Sequence, residues 1–163
     1  MSHLVVTSCG KESALNMYDY LATVLFLVFV VVESIADNQQ YNFQTEKYRL
    51  IHSGKALTGD YLDGFNQSGL FSIVRKPNYA AEQAIWISFY LFGIGAFQGE
   101  KFINWSMVGP ILLCVLFQGS GKFTENITIG KYPKYTDYMK EVPLYVPKLS
   151  LLGSTGKGRK KSD

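Results

Sequence analysis

The stretch 75–82, with the sequence Arg-Lys-Pro-Asn-Tyr-Ala-Ala-Glu, concentrates charged and hydrogen-bonding side chains directly before an apolar segment. Pro77 cannot donate a helical hydrogen bond, so it suits the first turn of a helix, and Asn78 is predicted to be the N-cap. Glu82 then lies in the first turn, near the positive end of the helix dipole. The pattern predicts a site for an anionic cofactor; the alternative is that the two cations only contact lipid headgroups.

A second group of polar residues lies nearer the C-terminus. Glu125 and Lys131 precede three tyrosines, Tyr132, Tyr135 and Tyr138, which recur every third residue. A helix would place these tyrosines on one face. That face would be either an aromatic belt at the membrane surface or the wall of a pocket.

The composition is that of a membrane protein. Hydrophobic residues make up 47% of the 163-residue chain and charged residues 18%, less than the roughly 25% of a soluble domain. Apolar segments at 18–35, 80–97 and 105–117 predict about three transmembrane helices, the last one short and tilted and ended by glycines 119 and 121. Because a lone strand in lipid would leave its backbone groups unpaired, we predict an all-α fold of multi-pass membrane helices.

A polar loop at 41–76, with a short surface helix at 41–50, is predicted to join the first two segments. Glu33, near the end of the first segment, would either lie at the headgroup level or turn inward to a pocket. Residues 1–17 are predicted to be a flexible leader, 18–149 the membrane domain with an interfacial C-terminal helix, and 150–163 a disordered basic tail.

Basic residues predict the orientation in the membrane. Of the 16 Lys and Arg residues, the loop 37–79 holds five and the region after the third segment holds nine. Such residues concentrate on the cytosolic side, so the loop and the C-terminus are predicted to be cytosolic. Lys160 and Lys161 resemble the dilysine signal that returns membrane proteins to the endoplasmic reticulum; the alternative is an ordinary basic tail.

Three stretches, in order along the chain, carry a resemblance to a known family. Residues 33–43 read Glu-x-x-Ala-Asp-x-Gln-x-x-x-Phe, and residues 69–82 read Gly-Leu-Phe-x-x-x-Arg-x-Pro-Asn-Tyr-x-x-Glu. Residues 125–147 contain a leading glutamate, a Tyr-x-x-Tyr pair and two Val-Pro pairs. Together they resemble the signatures of the steroid 5-alpha-reductase superfamily, in its less characterised reductase-like branch.

The resemblance implies an enzyme that uses NADPH to reduce a carbon–carbon double bond in a lipid or steroid-like substrate. It implies no nucleic-acid partner, and the isolated cysteines and histidines predict no metal site. The cofactor would carry the chemistry and the protein would orient it. The expected cofactor-binding residues include cations for the phosphates, an amide and a carboxylate for the nicotinamide carboxamide, and tyrosines that flank a ring or donate a proton: Arg75, Lys76, Asn78, Tyr79, Glu82, Glu125, Lys131, Tyr135 and Tyr138.

The sequence departs from the family pattern in two places. Lys76 stands where the family has a histidine, and only one apolar segment precedes Glu33, where family members have several helices. The chain is therefore expected to be either a reductase of this type or only its C-terminal, cofactor-binding part, completed by further helices or a second chain. The alternatives are a membrane methyltransferase that uses S-adenosylmethionine and a shortened membrane protein without catalysis.

Overall fold

The computed structural model describes residues 14–148, and every regular element in this range is a helix. The predicted all-α fold is confirmed. Most of the predicted leader, the predicted tail and the dilysine sequence lie outside the described residues. The helices are α1 (Met17–His52), α2 (Asp60–Asp63), α3 (Pro77–Ala96), α4 (Val108–Lys131) and α5 (Tyr135–Glu141), with 3-10 turns at Gly69–Ser72 and Trp105–Met107.

Helix α1 continues well beyond residue 35, where the fall in hydropathy predicted its end. It contains neither glycine nor proline, and the first glycine after it is Gly54, with a φ of 67°. Loss of hydropathy marks the edge of a bilayer, whereas a helix ends where the backbone is interrupted. Its 36 residues span about 54 Å, well beyond a hydrocarbon core of about 30 Å. The surface helix predicted at 41–50 is thus the polar second half of α1.

Helix α1 begins with reciprocal capping hydrogen bonds. The side-chain oxygen of Asn16 accepts from the backbone N–H of Tyr18 at 2.8 Å, and the carboxylate of Asp19 accepts from the backbone N–H of Asn16 at 2.9 Å. This is a capping box, which satisfies donors that the first turn leaves free. The Asn16 amide also donates to the carbonyl of Gly95 at 2.7 Å, so the cap ties α1 to the end of α3.

Helix α4 is also longer than predicted, because the two glycines do not end it. Gly121 is buried against the side chain of Tyr145, and a methyl group at this position would overlap the Tyr145 hydroxyl. Gly119 faces open space. Gly121 therefore makes room for a close contact, and the helix continues to Lys131, shortly before Pro133.

This difference between two nearby glycines leads to a matched prediction. Gly121→Ala is expected to lower the free energy of unfolding by about 1–3 kcal/mol, because the methyl group forces Tyr145 out of place. Gly119→Ala is expected to raise it by up to about 1 kcal/mol, because alanine favours the helix and meets nothing. Thermal unfolding of both variants in detergent checks this. Shifts of the same sign in both would show that Gly121 does not serve the Tyr145 contact.

Two helical regions in the described range are long and apolar enough to cross a bilayer, Met17–His52 and Trp105–Lys131. Only 11% of the most apolar window of each is buried, so most of its side chains face outward, as in lipid-exposed helices. The predicted second crossing forms a helix, α3, but is not one of the two. Its first turns carry Pro77, Asn78 and Glu82, so its apolar part is shorter than the about 20 residues a crossing needs. The two apolar regions support membrane association.

The chain divides into two compact units. Among the described residues, one contains 14–33 together with Ala81–Ser120, and the other contains Ser34–Ala80 and 121–148. The first unit holds the apolar parts of α1 and α4, including exposed side chains such as Leu112, Val115 and Leu116. The second holds the polar parts of the same two helices, and the three stretches that resemble the reductase family lie mostly within it.

Candidate functional site

The three family-like stretches meet in the second unit through hydrogen bonds between residues far apart in sequence. The Asn78 amide donates to the Asp37 carboxylate at 3.1 Å. The side chain of Gln39 accepts from the backbone N–H of Leu70 at 3.0 Å. The Tyr138 hydroxyl donates to the carbonyl of Phe71. Motifs separated in the sequence thus build one site.

Arg75 and Glu125 form a buried, bidentate ion pair in this unit. Arg75 Nε donates to one carboxylate oxygen at 2.6 Å and Nη2 to the other at 3.2 Å, and the two side chains are only 9% and 6% exposed. Arg75 Nη1 donates to the carbonyls of Met139 and Val142 at 2.9 and 2.5 Å. Most guanidinium donors are therefore already used by the protein.

Backbone hydrogen bonds attach the segment after α5 to the same place. The N–H of Arg75 donates to the carbonyl of Pro143 at 2.9 Å, and that of Lys76 to the carbonyl of Leu144 at 3.2 Å. Arg75 thus holds the C-terminal segment through both side chain and backbone. Its position is that of a structural clamp, so most of its hydrogen-bonding capacity is not available to a ligand.

Two of the three tyrosines, Tyr135 and Tyr138, are buried rather than arranged as a belt, and Tyr132 is half-buried. Tyr135 and Tyr138 pack with Phe65 and Val142 in a core cluster. The Tyr135 hydroxyl donates to Glu125 at 3.2 Å. Burial, aided by the negative charge of Glu125, raises the pKa of Tyr135 above its usual value of 10. Tyr135 therefore stays protonated at physiological pH.

A cleft with a cavity volume of about 580 Å³ lies in the second unit. This is within the range of about 300–1,000 Å³ typical of small-molecule sites. Its lining is mostly polar and comes from the second half of α1, the loop before α3, the start of α3, and the region from the end of α4 into α5: Gln40, Gln44, Lys47, Tyr48, Gly64, Phe65, Asn66, Phe71, Arg75, Lys76, Asn78, Tyr79, Ile127, Thr128, Lys131, Tyr132, Tyr135 and Tyr138.

The charged residues in the described lining of this cleft are all of one sign, with the Glu125 carboxylate behind them paired to Arg75. Its described lining residues include Lys47, Arg75, Lys76 and Lys131 but neither aspartate nor glutamate. The Lys76 ammonium lies 5.4 Å from the centre of the Tyr79 ring. Burial lowers the pKa of Lys76 below its usual 10.5, against the opposing effect of Glu125 and with a smaller contribution from Arg75. A ligand with several negative charges matches this lining.

Lys47 is the most buried of the lysines around the cleft, with 9% of its surface exposed. Its ammonium donates to the carbonyl of Gly64 at 2.8 Å and to the hydroxyl of Tyr132 at 2.9 Å. It also lies 4.7 Å from the centre of the Tyr132 ring. Both hydrogen-bond partners are neutral.

Most of the predicted binding residues come together at the cleft. Those that line it are Arg75, Lys76, Asn78, Tyr79, Lys131, Tyr135 and Tyr138. Glu125 is not in the lining and pairs with Arg75. Glu82 belongs to the first unit, where its carboxylate accepts from the Trp86 indole at 2.9 Å.

The predicted N-cap role of Asn78 is wrong. Helix α3 begins at Pro77, so Lys76 holds the N-cap position and its carbonyl accepts from Ala80 at 3.0 Å. The Asn78 side chain instead contacts Asp37 and lines the cleft.

Four of the lining residues that sequence reasoning missed lie on α1, and as many lie in the loop region that follows it. Gln40, Gln44 and Lys47 are spaced at positions i, i+4 and i+7, which places them on one helical face. That signal appears only when the helix is known to continue past residue 37. When residues 41–76 are interpreted as a loop, the helical spacing of these three side chains has no meaning.

The family described as "Protein of unknown function (DUF1295)" matches residues 1–142. The chain belongs to this family. An uncharacterised protein of Schizosaccharomyces pombe is 36% identical over 154 residues, an alignment that covers 86% of this DUF1295 chain. The chain spans 42% of that relative's length. No solved structure matches this DUF1295 chain.

Proposed function

We propose that this chain binds the cofactor of a membrane oxidoreductase of the steroid 5-alpha-reductase type. The enzyme would use NADPH to reduce a carbon–carbon double bond in a lipid or steroid-like substrate. The observation that carries the proposal is the cleft itself, whose described lining holds three lysines, the Arg75 that is paired with Glu125, and no carboxylate. NADPH carries three phosphate groups, whereas S-adenosylmethionine carries a sulfonium and an ammonium against one carboxylate. The charge of the cleft therefore favours NADPH over the methyltransferase cofactor.

The residues present fit such a ligand in size and chemistry. Lys76 and Lys131 would hold phosphate oxygens, and the Tyr79 ring and the Asn78 amide would contact the rings and the carboxamide. When bound, NADPH supplies the hydride. Tyr135 and Tyr138 are buried and hydrogen-bonded, so their role is to form one wall of the cleft and to exclude water from it.

A lipid-like substrate agrees with the two apolar helical regions, because such a molecule reaches an enzyme through the bilayer. The resemblance of the C-terminal lysines to a dilysine signal supports the endoplasmic reticulum membrane, with the C-terminus in the cytosol, as the location. Since the chain spans 42% of its yeast relative, further helices, in the same protein or in a second chain, would complete the substrate site.

NADPH is expected to raise the melting temperature of the detergent-solubilised chain, whereas S-adenosylmethionine is expected to leave it unchanged. A ligand that binds only the folded state stabilises by about 2.7 kcal/mol at one hundred times its dissociation constant. Thermal unfolding with each ligand in turn measures this. Stabilisation by S-adenosylmethionine alone would favour a methyltransferase, and no effect of either would favour a protein without catalysis.

A further inference from the structure

Lys47 has an unusual position for a lysine. It projects from the polar half of α1 into the wall of the cleft, and 9% of its surface is exposed. A buried ammonium is costly unless an anion accompanies it, because burial removes its hydration. In residues 14–148, no carboxylate oxygen forms an ion pair with Lys47.

The surroundings hold the Lys47 ammonium in place without neutralising it. The carbonyl that it contacts belongs to Gly64, which has a φ of 91°. A side chain there would be strained and would also overlap the ring of Tyr132. The loop thus adopts a conformation that only glycine accommodates well. The Gly64 carbonyl and the hydroxyl of Tyr132 are two neutral acceptors for the charge. One of the three ammonium donors is left for a ligand.

A second cation accompanies Lys47 at the cleft. Lys131, at the end of α4, also lines it, but its side chain is exposed. One buried and one exposed ammonium match a group that carries two negative charges and several oxygen acceptors. A phosphate monoester has this charge near neutral pH, whereas a phosphate diester carries only one.

We propose that Lys47 and Lys131 form a subsite for a phosphate monoester. This inference rests on the proposed function for the identity of the whole ligand. In NADPH the monoester is the 2′-phosphate, the group that NADH lacks, so Lys47 would determine the preference between the two. A phospholipid such as phosphatidic acid presents the same chemical group.

Binding to four probes tests the subsite: NADPH, NADH, adenosine 2′-monophosphate and phosphatidic acid in detergent micelles. The wild-type chain is expected to bind NADPH about tenfold to hundredfold more tightly than NADH, the effect of one charge-assisted contact. Lys47→Met is expected to abolish this preference and the binding of adenosine 2′-monophosphate. Lys131→Met, at an exposed position that does not threaten folding, is expected to reduce the preference by a smaller factor.

The matched control is Lys55→Met, which removes an exposed lysine of the same unit that does not line the cleft. It is expected to leave every affinity unchanged. The melting temperature without ligand gives an independent readout. A buried ammonium that serves ligand binding lowers the stability of the ligand-free protein, because no anion accompanies it there. Lys47→Met is therefore expected to melt at the same temperature as the wild type or higher.

The outcomes separate this subsite from the proposed function. If adenosine 2′-monophosphate or phosphatidic acid binds through Lys47 while NADPH does not, the subsite stands and the reductase proposal fails. If NADPH binds but the Lys47→Met and Lys131→Met variants keep the full preference over NADH, the subsite is overturned and the reductase proposal survives. A lower melting temperature for Lys47→Met together with an unchanged preference would make Lys47 structural.

Discussion

Arg75→Met is expected to lower the free energy of unfolding by about 3–5 kcal/mol, a large share of the stability of a small domain. The change removes a buried guanidinium and leaves the Glu125 carboxylate, whose side chain is 6% exposed, without its cation. It also leaves the carbonyls of Met139 and Val142 without their side-chain donor. Denaturant unfolding in a fixed detergent, followed by circular dichroism, measures the loss.

The control for this change is Arg49→Met. Arg49 pairs with Glu46 one turn away on α1, with side chains 57% and 37% exposed, so its loss is expected to change the stability far less than the loss of Arg75. The double variant Arg75→Met with Glu125→Leu is expected to recover part of the stability, because it no longer buries an unpaired charge. Equal losses in Arg75→Met and Arg49→Met would contradict the buried ion pair.

Lys76→Glu is expected to weaken NADPH binding by about one hundredfold or more, because it replaces an attraction to phosphate by a repulsion within the cleft. Isothermal titration gives the dissociation constants. Lys76→Arg, which keeps the charge, is expected to bind within about tenfold of the wild type. Unchanged binding in Lys76→Glu would place the phosphates away from the start of α3.

The lowered pKa of Lys76 gives this residue a distinct dependence on pH. As pH rises through the pKa of Lys76 in the folded protein, which lies below 10.5, its ammonium loses its proton and NADPH affinity is expected to fall. Over the interval from that pKa to 10.5, the unfolded chain binds more protons than the folded one, so the contribution of Lys76 to the stability of the empty protein rises with pH. Lys76→Arg is expected to remove both effects. Affinity and melting temperature measured across the alkaline range provide the test.

The helical fold class was predictable because long apolar runs have few alternatives in lipid. Helix ends were harder. The fall in hydropathy predicted a break near Asp37, and the glycines at 119 and 121 predicted another, yet both helices continue. At the first position no glycine or proline interrupts the backbone, and at the second Gly121 serves the Tyr145 contact. These causes depend on the continuity of the backbone and on tertiary packing, which a hydropathy profile does not contain.

The part of the site formed by residues close in sequence was predictable. The contacts between residues far apart in sequence were not. The motif around Pro77 identified Lys76, Asn78 and Tyr79 as lining residues of one cleft. It could not show that Arg75 is engaged by Glu125, since that depends on a partner 50 residues away. Lys47 was missed because its significance lies in burial without a counter-charge, a property of the folded chain.

The clamp at Arg75 also has a consequence for the order in which the protein is made. Arg75 is synthesised early, whereas the carbonyls that it binds, at Met139 and Val142, emerge from the ribosome 64 and 67 residues later. Contacts between such distant residues form only after a large loop has closed. During translation the guanidinium must therefore remain hydrated or paired elsewhere, and one wall of the cleft is absent. The cleft gains its last described lining residue at Tyr138, and Arg75 gains its last carbonyl acceptor at Val142, so a chain truncated between the two has the lining residues but lacks part of the clamp.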